Sequence, residues 1–192
     1  MFAVVESGSI TSMPRGNKGI QIGDIKHSAD IFTSKWTEAE RNAIGIYTVE
    51  IDNTNKKDSA WYINTDISYA YDASSDKVKG TYGTATAREI ADKTVSDVLV
   101  EGLKTLKKRL INEQCAALLA PSDWMYIKAG EEGVSMDSGW KTWRASVRTK
   151  CNSMQTQIHN AADVDALAAL FTYTEQEDKS ITRPLGEFPI KE

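Results

Sequence analysis

The run TAREIADKTVSDVLVEGLKTLKKRLINEQCAALL, residues 86–119, decides how the chain is read. Thr86 and Glu89 stand at the spacing of a capping box, and no proline follows until Pro121. In such a box the hydroxyl and the carboxylate each satisfy a free backbone N–H at a helix start. Leu99, Leu103, Leu106, Leu110 and Ala117 recur at spacings of four, three, four and seven, flanked by Val95, Val98 and Leu118. That is the pattern of a helix with one buried seam. A helix over the whole run would be about 50 Å long, with Gly102 inside it costing about 1 kcal/mol against alanine. It exceeds what a small domain needs, so part of it is expected to pack on a second helix or on a copy of itself in a homo-oligomer.

Downstream, Pro121 closes the run and Ser122-Asp123 offers capping oxygens for a following turn. Gly130, Gly133 and Gly139 break the next stretch, and a second helix is expected from near Asp137 or Ser138. Trp140, Trp143, Val147, Met154 and Ile158 share one face of it, at spacings of three, four, seven and four. The second helix should fold back on the first, with Trp124 plugging the corner. Asn160-Ala161-Ala162-Asp163 then resembles a cap for a short third helix carrying Val164, Leu167, Leu170 and Phe171. The segment 173–192 is polar and reads as an extended tail.

Upstream the periodicity is two, not 3.6. Phe2–Glu6 and Ser9–Met13 read as strands around a Ser7-Gly8 turn, and Ile20–Ile25 as a short edge strand or an ordered loop. Thr37 and Glu40 form another capping box before a short helix that Gly45 suits as a C-cap. In the strand Ile46–Ile51, the face of Tyr47, Val49 and Ile51 is expected to be buried. Residues 60–64, 67–72 and 77–82 look like three more strands, with Tyr62, Tyr69, Tyr71 and Tyr82 as cross-strand aromatics. The reading is an α+β protein: a small β-rich unit over 1–83, a long helical hairpin with a short third helix over 84–172, and the tail.

Composition narrows the chemistry. Hydrophobic residues at 41% and charged ones at 26% are ordinary for a soluble protein, and a net charge of -4 argues against nucleic acid as partner. No stretch approaches the ~20 apolar residues that span a bilayer, and the start lacks the basic and apolar regions of a signal peptide, so no membrane partner is expected. His27 and His159 are the only histidines, and neither stands at a ligand spacing with a cysteine, so no metal site and no cofactor is expected. Cys115 and Cys151 sit about 12 Å apart along a hairpin axis by helix rise, too far for a disulfide, and read as two buried thiols. Gly80-Thr81-Tyr82-Gly83 lacks the Gly-Lys-Ser/Thr core of a phosphate loop, and the Trp140–Trp143 pair reads as core. No catalytic constellation emerges.

One resemblance carries function. Lys107-Lys108-Arg109-Leu110, Leu118-Leu119, Ser122-Asp123-Trp124 and Trp140-Lys141-Thr142-Trp143-Arg144, with Arg148 following, resemble tail proteins of the phage tail-assembly-chaperone type. That family has a charged helix ending in two leucines, a Ser/Cys-Asp-Trp turn and a Trp-x-x-(Tyr/Trp)-Arg helix. Phe2–Gly8 resembles its opening strand, and Glu40–Tyr47 its helix-to-strand step. The second helix departs from the family's leucine-rich pattern at Trp143-Arg144-Ala145-Ser146-Val147-Arg148, and the helix at Asp163–Phe171 lengthens the end. The resemblance implies a non-enzymatic tail protein, made in a host cytoplasm, that binds tail-fibre, baseplate or adaptor subunits and stays in the virion. A transient chaperone absent from the mature particle is its alternative, and a sugar-binding or hydrolytic host-surface module a third class. In the motif, Asp123 would cap the turn, with Arg144 or Arg148 as its partner.

Overall fold

The structure is a computed structural model describing residues 1–191. It is mixed α/β, β-rich in the amino-terminal region and helical in the carboxy-terminal half. The chain divides into two compact units, Met1–Thr86 and Ala87–Glu192.

The first unit is built on a mixed five-stranded sheet. Its strands are β1 (Phe2–Glu6), β2 (Ser9–Ser12), β5 (Ile46–Asp52), β7 (Ile67–Asp72) and β8 (Lys77–Tyr82), in the order β2-β1-β5-β8-β7. Only the β5–β8 pair is parallel. A hairpin of β3 (Ile20–Ile22) and β4 (Ile25–His27), a helix α1 (Glu38–Asn42) and a two-residue strand β6 (Tyr62–Ile63) fill the connections. Ser7 and Gly8 both hold positive φ, 53° and 78°, the primed turn whose twist matches a two-residue hairpin. The α1 capping box forms as spaced: Thr37 N–H donates to Glu40 Oε2 at 2.7 Å, and Glu40 N–H to Thr37 Oγ1 at 3.3 Å. Gly45 follows at φ 79°, where an added Cβ would stand 2.6 Å from Val5 O.

Both faces of this sheet are covered. Ala3, Val5, Val49 and Val78 cluster on one side under Tyr47, Tyr69 and Tyr71. Val4 and Ile46 pack on the other against Ile31, with Phe2, Phe32 and Trp36 around them. The one-sided reading of β5 therefore needs correcting. Ile46 is fully buried while Ile51 is 38% exposed, because the 3-10 turn Ala29–Phe32 roofs the start of the strand and nothing equivalent covers its end. Gly80 sits inside β8, not in a loop before a helix. A Cβ there would lie 2.8 Å from Ile51 Cδ1 and 2.8 Å from Tyr69 Cε1. After β7 the hydroxyls of Ser74 and Ser75, the Lys79 ammonium and the Ser74 N–H all donate to Asp72. These bonds hold its carboxyl far below the usual carboxylate range.

The largest correction concerns residues 86–102. The expected 34-residue helix is half that: α2 spans Leu103–Leu119, 17 residues. Before it lie β9 (Thr86–Ala87) and a hairpin of β10 (Lys93–Val95) and β11 (Val98–Val100). The physical reason is local. Thr94, Val95, Val98 and Val100 are β-branched, and Ser96 and Asp97 at φ 50° and 63° make a primed two-residue turn. Gly102 is the N-cap of α2, not an interior residue, and a Cβ there would strike the Ala91 carbonyl at 2.3–2.4 Å. The first N–H groups of the helix go to backbone carbonyls, Leu103 N–H to Glu89 O at 2.9 Å and Lys104 N–H to Ile90 O at 3.1 Å. Asp92 accepts from Gly102 N–H at 2.7 Å and Thr105 Oγ1 at 2.9 Å, bonds that hold its carboxyl low.

The seam is also redrawn. Leu103, Ile111 and Cys115 are the buried positions of α2, whereas Leu106, Leu110 and Leu118 are exposed. Helix α2 packs on α4 (Ser138–Asn160), whose buried residues are Arg144, Val147, Cys151, Met154 and Ile158. The two helices run antiparallel, since Lys104 Nζ donates to His159 O at one end and Arg144 Nη1 to Leu119 O at the other, 2.8 and 2.7 Å. Between α2 and α4 the glycine-broken stretch is a helix, α3 (Asp123–Glu131). Helix α5 (Val164–Phe171) starts at Asp163, whose carboxylate accepts from Ala166 N–H at 2.8 Å. The tail is folded rather than merely extended. It forms a hairpin of β12 (Thr174–Glu175) and β13 (Ile181–Thr182) and then buries Leu185 completely, between Leu170 O and Lys150 Nζ, each 3.0 Å away.

Gly80→Val inserts a branched side chain where three side-chain carbons already lie within 3 Å. We expect a loss of about 2–3 kcal/mol, read as a lower urea midpoint with unchanged slope. An unaltered midpoint would show that the β5–β8–β7 surface is looser than described.

Candidate functional site

The residues of the Ser-Asp-Trp and Trp-x-x-Trp-Arg segments meet at the corner joining α2 to α4. Leu119 ends α2, the 3-10 turn Ala120–Ser122 carries Pro121 at its start, and α3 begins directly at Asp123. Arg144, in the second turn of α4, points into this corner and is only 6% exposed. Its Nη1 donates to Leu119 O at 2.7 Å and to Ser122 Oγ at 2.5 Å, and its Nη2 to Asp123 Oδ1 at 2.5 Å. Ser122, 1% exposed, in turn donates to Leu119 O at 2.9 Å.

Each of these bonds answers an electrostatic need. A buried guanidinium is costly unless its donors are matched, and here a carboxylate, a hydroxyl and a helix-terminal carbonyl match it. Leu119 O is one of the last carbonyls of α2, where the helix dipole favours a cation. Of the guanidinium nitrogens, Nε is buried without an acceptor. Asp123 stays about half exposed, so the ion pair is solvated on one side.

This geometry reassigns the motif residues. Arg144, not Arg148, takes Asp123, while Arg148 is exposed on α4 near the Cys115 thiol. Asp123 does not cap the turn, because its carboxylate is committed to Arg144. Trp124 is not a corner plug. It is 56% exposed, and α3 buries none of its residues, with Tyr126 and Ile127 also exposed. Trp124 lines a cleft of about 350 Å³ with Met125, Lys128, Val134, Met136 and Trp140. Trp140 and Trp143 stack edge to face with ring centres 5.6 Å apart. Trp143 Nε1 donates to Pro189 O at 3.0 Å, and Lys191 stands 5.3 Å over the Trp140 ring. The pair therefore holds the carboxy-terminal segment through Pro189 and Lys191. Sequence reasoning missed Met136, Leu185 and Pro189. Leu185 between Pro184 and Gly186 was the available signal, since Gly186 turns the chain at φ 74°.

The cysteines also need correction. Both are free and buried, but they are not far apart. The Cys115 thiol is pushed up by burial and by a hydrogen bond with Cys151, whose Sγ also donates to Asn112 Oδ1 at 3.6 Å. The axial offset expected from the sequence assumed a symmetric two-helix turn, and α3 removes that symmetry.

Among the described residues no group of three or more His, Cys, Asp or Glu side chains converges to hold a metal ion, and no helix is long and apolar enough to cross a membrane. No family model, curated protein or solved structure matches the chain.

Three variants check the corner. Arg144→Met should cost about 2 kcal/mol, since Leu119 O loses a charged donor. Asp123→Asn should cost about 1 kcal/mol and Arg148→Ala nearly nothing, all read from chemical denaturation. A larger loss at Arg148 than at Arg144 would contradict the geometry. Separately, the raised Cys115 thiol should resist a thiolate-directed disulfide reagent in native protein at mildly alkaline pH, and both cysteines should label promptly in denaturant. Rapid native labelling of Cys115 would contradict its burial.

Proposed function

We propose that this chain is a non-enzymatic bacteriophage tail protein that binds tail-fibre or baseplate subunits, helps attach them and remains in the virion. The observation that carries the reading is the corner. Ser122, Asp123 and Arg144, three residues of the segments that resemble the phage family, join in one clamp around the buried guanidinium, and the helix that begins at the clamp exposes Trp124, Tyr126 and Ile127. Aromatic residues on a rigidly held element are the usual anchors of protein interfaces. In this reading α2 and α4 form a two-helix hairpin that acts as the mount. The strands of the first unit offer edges that a partner can extend by backbone pairing.

The test is mass spectrometry of density-purified phage particles together with the infected-cell lysate. Peptides of this chain should co-purify with the tail, and Trp124→Ala with Ile127→Ala should lower the fibre or baseplate content of the particles. A chain abundant in the lysate and absent from particles would overturn the structural role in favour of the transient chaperone.

A further inference from the structure

The hairpin that replaces the expected start of α2 has a free edge of unusual composition. Val98-Leu99-Val100 forms β11, with Val98 64% and Leu99 62% exposed, and Val95 and Val100 nearly half exposed. A lone two-stranded hairpin is marginal in water, and an open apolar strand edge invites pairing with another chain. The register fixes which backbone groups are open. Val95 pairs with Val98 across the two-residue turn and Lys93 with Val100, so these couples exchange the hairpin's own hydrogen bonds. Thr94 and Leu99 form the intervening couple, and their N–H and C=O groups point outward. On the β11 edge the open groups therefore belong to Leu99.

From this we infer that the chain self-associates by antiparallel pairing of β11 with β11 of a second copy, about a two-fold axis at Leu99. A two-fold contact needs a self-complementary patch, and this strand is one. Leu99 would meet its own copy and exchange two backbone hydrogen bonds with it. Val98 would lie opposite Val100 of the second copy, and no charged residue stands among the three. The resulting four-stranded sheet carries Val95, Val98 and Val100 of both copies side by side on one face, and the two Leu99 side chains on the other.

Charge favours this edge over the alternative. The β10 edge carries Lys93, ion-paired to Glu89, and a lysine on an edge strand opposes pairing. At the ends of the β11 pairing, Asp97 of one copy arrives beside Glu101 of the other. The Glu101 carboxylate is ion-paired to Arg109 of its own chain, which offsets one of the two acids at each end. The contact is small, which places it among weak associations.

The test is sedimentation equilibrium of the full chain, with circular dichroism to check that each variant folds. Wild type should reach the mass of two chains at about 10–100 µM, the range of a small interface. Leu99→Pro removes the one outward N–H of β11 without touching a hydrogen bond inside the hairpin, and should weaken the dimer at least about tenfold in Kd. Leu99→Lys, which sets two ammonium groups at the axis, should do the same. Thr94→Pro makes the equivalent change on the β10 edge and should leave the dimer intact. A wild-type monomer throughout that range overturns the inference. So does a dimer that folded Leu99→Pro or Leu99→Lys leaves unchanged, or one that Thr94→Pro dissolves in place of Leu99→Pro.

Discussion

The second unit turns on one buried charge. Arg144 cannot be taken from water unless its donors are met, and the acceptors it finds belong to three consecutive pieces of chain: the last turn of α2, the 3-10 turn and the first residue of α3. Packing of the buried apolar residues of α2 and α4 would by itself allow the helices to slide, because apolar contact is not directional. The guanidinium is directional and has one place to go. It therefore sets the register of the helix pair at the corner, while Lys104 on His159 O and Gln155 on Asn112 mark the same register further along. Replacing a buried ion pair with apolar residues is often neutral for stability, so the value of this one lies in specifying a single arrangement.

The consequence is an apolar helix left in water. Asp123, the first residue of α3, is tied to Arg144, and the helix that follows buries none of its residues. Trp124, Tyr126 and Ile127 therefore have no interior to enter. At the corner itself the buried side chains are Ser122 and Arg144.

What the sequence made legible follows from how local the cause was. The Thr37–Glu40 capping box, the Ser7-Gly8 turn, strands β7 and β8, and the starts of α4 and α5 are set by residues within a few positions of each other. All are readable from spacing. Residues 86–102 failed because Val95, Val98, Leu99 and Leu103 fit a helical stripe as well as they fit two short strands. The arbiter was Ser96-Asp97 turning at positive φ, a conformation that no capping pattern announces. The capping box at Thr86–Glu89 was a false signal, since α2 starts at Leu103 with Gly102 as its N-cap, and it is the backbone carbonyl of Glu89 that takes the Leu103 N–H. The corner was half legible: the pairing of Asp123 with an arginine followed from the motif. Trp124 at the surface and Cys115 beside Cys151 did not, because both depend on α3, which Gly130 and Gly133 had disguised as loop.

The same ambiguity explains where the exposed apolar surface lies. In a single buried-seam helix, Leu99, Leu106 and Leu110 would share one stripe and face one partner. With the chain turned into a hairpin before Gly102, Leu99 is carried off on β11 and Leu106 and Leu110 are left on the open side of α2. The seam that remains uses Leu103, Ile111 and Cys115, offset from the leucine stripe around the helix. Hydrophobicity spaced for one interface is thus divided between a helix face and a strand edge, and these two, like the exposed rings of α3, are left uncovered within the unit. Large apolar side chains left uncovered in contiguous groups mark surfaces that other chains cover. They differ in kind, since the strand edge offers backbone bonds with fixed geometry and the α3 face offers rings on a fixed mount. Such surfaces select different partners, so self-association through one leaves the other open.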